Sequence, residues 1–288
     1  MVFFLSVIRL FRPKQWLKNL LLIFPPLFGG VLFSPEILRS LFFPVLAFCL
    51  ASSANYACND VLDAEKDALH PTKKHRPIPA GKVSKHTALL AGGLLFCAAF
   101  FCAIATSWTF TAILAVYVVL MGCYSLWLKH VVVLDIFVIA TGFLLRLEAG
   151  AQAVHVPVST WLFLSVFFLA MFLSIGKRVS EKSMLAGPSA SLHRKTLAQY
   201  PDAYLEGVML MTGTAAMLTY ALYTIDHANL LYTVPLCCLG LFRYMFWIKI
   251  GNNGDPSEAL LHDPFLAGIS AVWFLTIIGT KYLIPILR

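Results

Sequence analysis

Apolar residues run along this chain in stretches of about 20, separated by short polar connections, and that length is what a helix needs to cross the hydrocarbon core of a bilayer. Nine such segments stand out, centred near residues 17–34, 40–58, 87–106, 109–127, 131–152, 158–176, 205–225, 230–249 and 265–285. The runs are continuous and show no period of two. A backbone facing lipid must satisfy its own hydrogen bonds, so the segments predict helices and not barrel strands. The expected fold class is all-α: a bundle of nine transmembrane helices forming one integral membrane domain over residues 1–288.

Composition agrees with the pattern. Apolar residues make up 59% of the 288, charged residues only 12%, and the mean hydropathy is +0.80, outside the range of soluble domains. Charge then supplies an orientation. With nine spans the connections alternate sides, and one side collects 17 of the Lys and Arg residues against 3 on the other, Arg39, Lys281 and Arg288. The positive-inside bias therefore predicts a cytoplasmic N-terminus in the cytoplasmic (inner) membrane. The net charge of +8 becomes mostly a cytoplasmic rim suited to anionic headgroups or phosphorylated substrates. No nucleic-acid recognition module accompanies it, so nucleic acid is not an expected partner. Met1 to Leu10 carries Arg9 within a short apolar stretch with no cleavage site after it, so the first span is expected to stay. The seven cysteines lie in or beside spans without metal-ligand spacing, which predicts packing roles.

The longer connections, after spans 2, 6 and 8, hold most of the ionisable residues, and the site is expected there, facing the cytoplasm. After span 2 comes "NDVLDAEKDALHPTKKHRPIPAG", Asn59 to Gly81. If the helix continues through it, Asn59, Asp63 and Asp67 recur every four residues along one face, with Asp60 about one residue aside. Such acids repel one another unless a cation sits among them. Hard oxygen donors without His or Cys indicate Mg²⁺ rather than zinc. His70, Lys73, Lys74, His75 and Arg76 follow with the opposite sign, and "RPIPAG" predicts an extended or turn conformation. Metal-binding acids followed by phosphate-binding bases suit a diphosphate. The alternative is a solvated loop whose bases only follow the positive-inside bias.

Three further blocks leave their alternatives open. In "GKRVSEK", Gly176 to Lys182, Lys177 and Arg178 stand four and three residues before Glu181, so the block is either an exposed ion pair or a phosphate clamp. "GNNGDPSEALLHDP", Gly251 to Pro264, offers Asp255, Glu258 and Asp263 to a site but also reads as a turn with a helix cap. "RPKQWLKN", Arg12 to Asn19, suits interfacial anchoring equally well. Within the spans, Asp135, Arg146, Glu148 and Arg243 are costly in lipid and predict positions inside the bundle, with Asp135 and Arg146 on one helical face. "YSLWLK", Tyr124 to Lys129, closes span 4.

The NxxxDxxxD block after span 2, a second charged block after span 6 and nine helices resemble the UbiA superfamily of intramembrane prenyltransferases. The resemblance covers essentially the whole chain. It departs from the aromatic prenyltransferases at "GKRVSEK", where those carry a second aspartate-rich motif. That block, with "RPKQWLKN", "YSLWLK", "LDIFVIATGFLLRLEAGAQA" and "GDPSEALLHDP", is similar to the decaprenyl-phosphate phosphoribosyltransferase branch. The resemblance implies transfer of 5-phosphoribosyl from phosphoribosyl pyrophosphate (PRPP) to a polyprenyl phosphate, a step toward lipid-linked arabinofuranose donors.

On that reading Asn59, Asp60, Asp63 and Asp67 hold Mg²⁺ on the pyrophosphate, with Asp63 and Asp67 essential to the reaction. Lys73, Lys74 and Arg76 neutralise the remaining charge, and Lys177 and Arg178 clamp the 5-phosphate. Lys14, Lys18 and Asn19 receive the lipid phosphate, Tyr124, Lys129 and Arg146 line the cavity, and Glu181 orients its basic neighbours. Two other functions stay open: a prenyltransferase acting on an aromatic or porphyrin acceptor, and a transporter, whose sites would lie near the midplane between internal repeats.

Overall fold

A computed structural model describes residues 2–69, 73–184 and 195–283. Among these residues every regular element is helical. In chain order they are α1 (Val2–Leu10), a 3₁₀ helix (Pro13–Ile23), α2 (Phe24–Phe28), α3 (Pro35–Leu62), α4 (Ala64–Ala68), α5 (Lys85–Thr106), α6 (Trp108–Leu126), α7 (Leu134–Val154), α8 (Thr160–Met184), α9 (Lys195–Gln199), α10 (Asp202–Ile225), α11 (Val234–Lys249), α12 (Pro256–His262) and α13 (Pro264–Ile278), with short 3₁₀ and π turns among them.

Local chemistry explains the boundaries. Ser34, Ser84 and Ser107 each accept a backbone N–H three residues on, from Ile37, Thr87 and Phe110, and so begin α3, α5 and α6. Asp255 and Asp263 begin α12 and α13 by accepting the N–H two residues on, from Ser257 and Phe265, each followed by proline at the first helical position. A cap of this kind stabilises a helix by about 1 kcal/mol.

Among the described residues, seven helices are long and apolar enough to cross a membrane, and they coincide with the second, third, fourth, sixth, seventh, eighth and ninth predicted segments. The other two differ. The first predicted span is not one continuous α-helix: it is the 11-residue 3₁₀ helix followed by five α-helical residues. Pro25 and Pro26 lack N–H donors and restrict the residues before them, which breaks the i to i−4 ladder there. The fifth, α7, has 21 residues and carries Asp135, Arg146 and Glu148; it is not among the seven.

The chain divides into two compact units. One consists of Met1–Phe24, Phe33–Lys129 and Leu145–His155, the other of Pro25–Leu32, His130–Leu144 and Val156–Arg288. In the first, α3 and α5 meet through small buried residues, Ala51, Ala54 and Ala57 on one helix and Ala88, Gly92 and Ala99 on the other, which lets the backbones approach closely. Phe48 packs edge-on against Phe110 at 5.9 Å. Gly150 of α7 lies directly on the 3₁₀ helix, where a Cβ would fall 2.1 Å from the Leu22 carbonyl oxygen.

In the second unit α8 and α10 pack side by side around Phe172, Ile175 and Met209. The Tyr282 hydroxyl donates to the carbonyls of Pro26 and Leu27 at 3.0 and 2.9 Å and accepts the Leu32 N–H at 3.1 Å. These bonds tie the backbone from Pro26 to Leu32 to Tyr282.

Candidate functional site

The acid-rich face is built in the first unit. α3 runs to Leu62, Asp63 forms a joint with φ −95° and ψ 3°, and α4 continues from Ala64. The Asp63 N–H still bonds the Asn59 carbonyl at 2.9 Å and the Asp67 N–H the Asp63 carbonyl at 2.8 Å. The four-residue recurrence therefore survives the joint, and the acids stay on one face. The segment after them is the turn that "RPIPAG" predicts: Lys82 and Val83 donate to the Pro77 carbonyl, and Gly81 takes φ +69°, which glycine adopts without steric cost.

Each carboxylate on this face meets a basic side chain. Asp60, buried, receives Arg12 and, at 3.1 Å, Arg76. Arg76 also reaches Asp67 through the same Nη1 at 2.5 Å. Lys129 donates to both oxygens of Asp63 at 2.7 and 2.8 Å. Arg12 lies 4.9 Å over the Tyr56 ring, and Trp16 Nε1 donates to Ser53 Oγ at 3.0 Å, which in turn donates to the Phe11 carbonyl. The "RPKQW" stretch is thus fastened to α3.

Asn19 is buried and committed internally. Its Oδ1 accepts Arg146 Nε at 2.8 Å and its Nδ2 lies 3.4 Å from Ser52 Oγ, so it differs from the expected surface ligand of a lipid phosphate. Arg146 donates to the Tyr117 hydroxyl at 2.8 Å and sits over that ring. Lys14 and Lys74 are exposed, while Lys18, Asn59, Lys73 and Tyr124 are half-buried. His70 lies outside the described residues. Asn55, one turn before Asn59, was not singled out by the sequence; its Nδ2 is buried without a hydrogen-bond partner among the described residues.

The basic block closes α8 in the second unit, and here the pairing departs from expectation. Arg178 does pair with Glu181, at 3.2 Å, but its Nε donates to Asp135 at 3.0 Å and the side chain is enclosed. The Tyr200 hydroxyl donates to the other Asp135 oxygen at 2.7 Å and accepts the Val133 N–H at 2.6 Å. Val133 has φ +70°, a strained conformation for a β-branched residue. Burial first, and then the bond given to Asp135, push the Tyr200 hydroxyl far above its usual pKa, so it remains a donor at physiological pH. Asp135 and Arg146 share a face of α7 as expected, yet they serve different clusters. Arg178 is an internal ion-pair partner and not an exposed phosphate clamp.

Lys177 is more accessible than Arg178. Its ammonium bonds Asp255 at 3.0 Å and its side chain is 36% exposed. Asp255 also caps α12 by accepting the Ser257 N–H, so the cap reading and the site reading of that loop meet in one carboxylate. Ser180 accepts the Gly254 N–H at 2.9 Å, and Tyr244 donates to the Gly254 carbonyl at 2.6 Å. A Cβ at Gly254 would fall 2.8 Å from Gly176 and Lys177 backbone atoms. Only glycine permits the loop to lie this close to α8.

The donor set of the acid face suits a hard divalent cation in kind: three carboxylates and the Asn59 amide, with no sulfur or imidazole. The buried Asn55 Nδ2 is an unused donor of the kind an anionic oxygen accepts from. In arrangement, however, no group of three His, Cys, Asp or Glu among the described residues converges as a metal requires. Arg76 stands between Asp60 and Asp67 in the position a shared cation would take. Sequence spacing revealed the acids but not Arg12, Tyr200 or Asp255 as their counterparts and neighbours, because those contacts join residues 43 to 78 positions apart.

Comparison with known proteins gives a consistent relationship. A model described as the UbiA prenyltransferase family matches residues 22–269. The decaprenyl-phosphate phosphoribosyltransferase of Mycolicibacterium smegmatis is 34% identical over 300 residues, spanning 96% of this chain and 92% of that protein. The protein of the same name from Corynebacterium glutamicum is 32% identical over 298 residues, spanning 97% and 88%. A solved UbiA homologue from Archaeoglobus fulgidus, bound to GPP and Mg²⁺, superposes with a TM-score of 0.74 over 96% of this chain and 99% of that one, at 21% identity. With the family model matched over residues 22–269 and near-complete coverage of relatives 34% and 32% identical, this chain belongs to the UbiA prenyltransferase family.

Proposed function

We infer that the protein is a polyprenyl-phosphate phosphoribosyltransferase, which moves 5-phosphoribosyl from PRPP to a decaprenyl or undecaprenyl phosphate and releases pyrophosphate. The observation that carries this reading is the 32–34% identity, over almost the whole length, to relatives bearing the decaprenyl-phosphate phosphoribosyltransferase name. The bond between ribose C1 and a pyrophosphate oxygen breaks, and its electron pair leaves with pyrophosphate. The bond that forms joins C1 to an oxygen of the lipid phosphate. That acceptor is an anionic monoester at neutral pH, so the step needs no strong general base.

Held by Asn59, Asp60, Asp63 and Asp67, Mg²⁺ would supply electrostatic stabilisation of the departing pyrophosphate. The chain's own residues supply the rest. Lys73, Lys74 and Arg76 take up pyrophosphate charge, and Lys129, paired with Asp63, lines the cavity. Lys177 is suited to the 5-phosphate, while Arg178, locked to Asp135 and Glu181, orients the end of α8 beneath it. Lys14 and Lys18 meet the lipid phosphate, with Tyr124 beside the acceptor. Asn19 and Arg146 act from inside, fixing the 3₁₀ helix that carries those lysines. The site faces the cytoplasm, and the product enters the synthesis of lipid-linked arabinofuranose donors for cell-wall arabinan.

A prenyl transfer to an aromatic or porphyrin acceptor is the second reading, favoured by the GPP and Mg²⁺ of the Archaeoglobus protein. Purified protein in liposomes, given Mg²⁺, polyprenyl phosphate and either PRPP or a prenyl diphosphate, is expected to release pyrophosphate only from PRPP. Release from the prenyl diphosphate alone, on adding an aromatic acceptor, reverses the assignment.

A further inference from the structure

Three acids and three bases neutralise one another on the acid face: Asp60 with Arg12 and Arg76, Asp67 with Arg76, Asp63 with Lys129. Left alone, neighbouring carboxylates this poorly solvated would repel each other, and the protein cations remove that penalty. The same contacts bar a metal, because Arg76 occupies the ground shared by Asp60 and Asp67. A divalent ion arriving alone would have to break these ion pairs and leave the displaced cations beside its own double charge. An ion arriving with a diphosphate brings anionic oxygens that can receive them.

At Asp60 and Asp67 exposure is distributed as such an exchange needs, whereas at the third pair Lys129 is 10% exposed against 21% for Asp63, so there the carboxylate is the partner open to an arriving ligand. The side chains of Asp60 and Asp67 are 2% and 7% exposed, whereas Arg12 and Arg76 are 25% and 26% exposed. The anions are fixed in the interior while the guanidinium groups stand at its edge, on long stems able to turn outward.

We propose that Arg12, Arg76 and Lys129 are exchangeable counter-ions that hold the acid face closed to free metal and hand its carboxylates over only when metal and diphosphate bind together. The proposal rests on the reading of this face as a metal–diphosphate site. It makes the two ligands obligatorily cooperative: each strengthens the other by the same factor. It also keeps the charge of the face near zero in both states, with the pairs re-formed against phosphate.

The test is Mn²⁺ binding to the detergent-solubilised full chain, followed by the electron paramagnetic resonance signal of free Mn²⁺. Inorganic pyrophosphate is present or absent, and protein-free titrations correct for its own Mn²⁺ complex. The expected result is an apparent Mn²⁺ affinity about tenfold or more higher with pyrophosphate. Arg76→Gln and Lys129→Gln should each bind Mn²⁺ alone more tightly than the parent and show less enhancement by pyrophosphate, and Lys129→Arg should behave as the parent. Arg12→Gln carries the same prediction should either variant fail to elute as a monodisperse species. Equal Mn²⁺ affinity with and without pyrophosphate, or charge-removing variants that bind Mn²⁺ alone no better, overturns the exchange. Asp63→Asn separates this from the underlying reading: if it retains parental Mn²⁺ binding under both conditions, the metal assignment itself fails.

Discussion

Asp63 and Asp135 are both carboxylates facing a cation, and they do different work. Asp63 lies at the α3–α4 joint with its side chain 21% exposed, open to exchange. Asp135 is enclosed between Arg178 and Tyr200. Asp63→Asn keeps an acceptor for Lys129 and should leave the unfolding temperature nearly unchanged, while PRPP turnover in proteoliposomes falls by about 10²-fold or more. Lys177→Ala should raise KM for PRPP more than it lowers kcat, because it removes a binding contact remote from C1. Arg178→Ala instead strands a buried carboxylate, which costs about 3–5 kcal/mol. Tyr200→Phe leaves the Val133 N–H without its acceptor and Asp135 without one donor, for about 1–3 kcal/mol; thermal unfolding in detergent reads both. Asp63 was legible from its four-residue spacing with Asn59 and Asp67, and Asp135 as a charge within an apolar span. Their partners were not, since an ion pair between distant residues leaves no local periodic trace.

At the scale of the element, capping and backbone contact decide what hydrophobicity leaves open. α13 begins at Asp263, which accepts the Phe265 N–H at 3.1 Å and pairs with Arg243 Nε at 2.6 Å. The bond from Arg243 holds the Asp263 carboxyl below the ordinary carboxylate range. A depressed folded-state pKa means the stabilisation is complete above the unfolded value of about 4 and is lost as pH falls through the lower folded value. Asp263→Asn should therefore flatten the acid limb of the stability profile below about pH 4, measured by unfolding temperature against pH. Gly150→Ala should destabilise the first unit, by an amount on the order of 1–3 kcal/mol, because its Cβ meets the Leu22 backbone. Seven spans were readable from composition and length alone. The first was not, because Pro25 and Pro26 turn an apolar run into a 3₁₀ helix and a short α-helix, and hydropathy does not register a missing N–H.

For the whole molecule, the asymmetry of Lys and Arg predicts a cytoplasmic N-terminus, and we propose that the acid face lies on the same side. Lys74→Cys, at an exposed position, should gain labelling by a membrane-impermeant maleimide in inside-out vesicles, relative to the parent chain, and not in intact spheroplasts. Labelling from the outside would reverse the orientation and move the proposed donor site to the other face.

The sequence by itself determined the medium, the helical class and the run of acids along one face of the α3–α4 end. Each of these follows from local quantities: the length of an apolar run, the sign of a charge and a spacing of four residues. Only the tertiary structure decided which charges remain available. It buried Arg178 against Asp135, left Lys177 half-exposed beside Asp255, turned Asn19 and Arg146 inward, and closed the carboxylates with Arg12, Arg76 and Lys129. A charge's role depends on what surrounds it in three dimensions, on desolvation and on the nearest opposite charge, and neither is a property of neighbours along the chain.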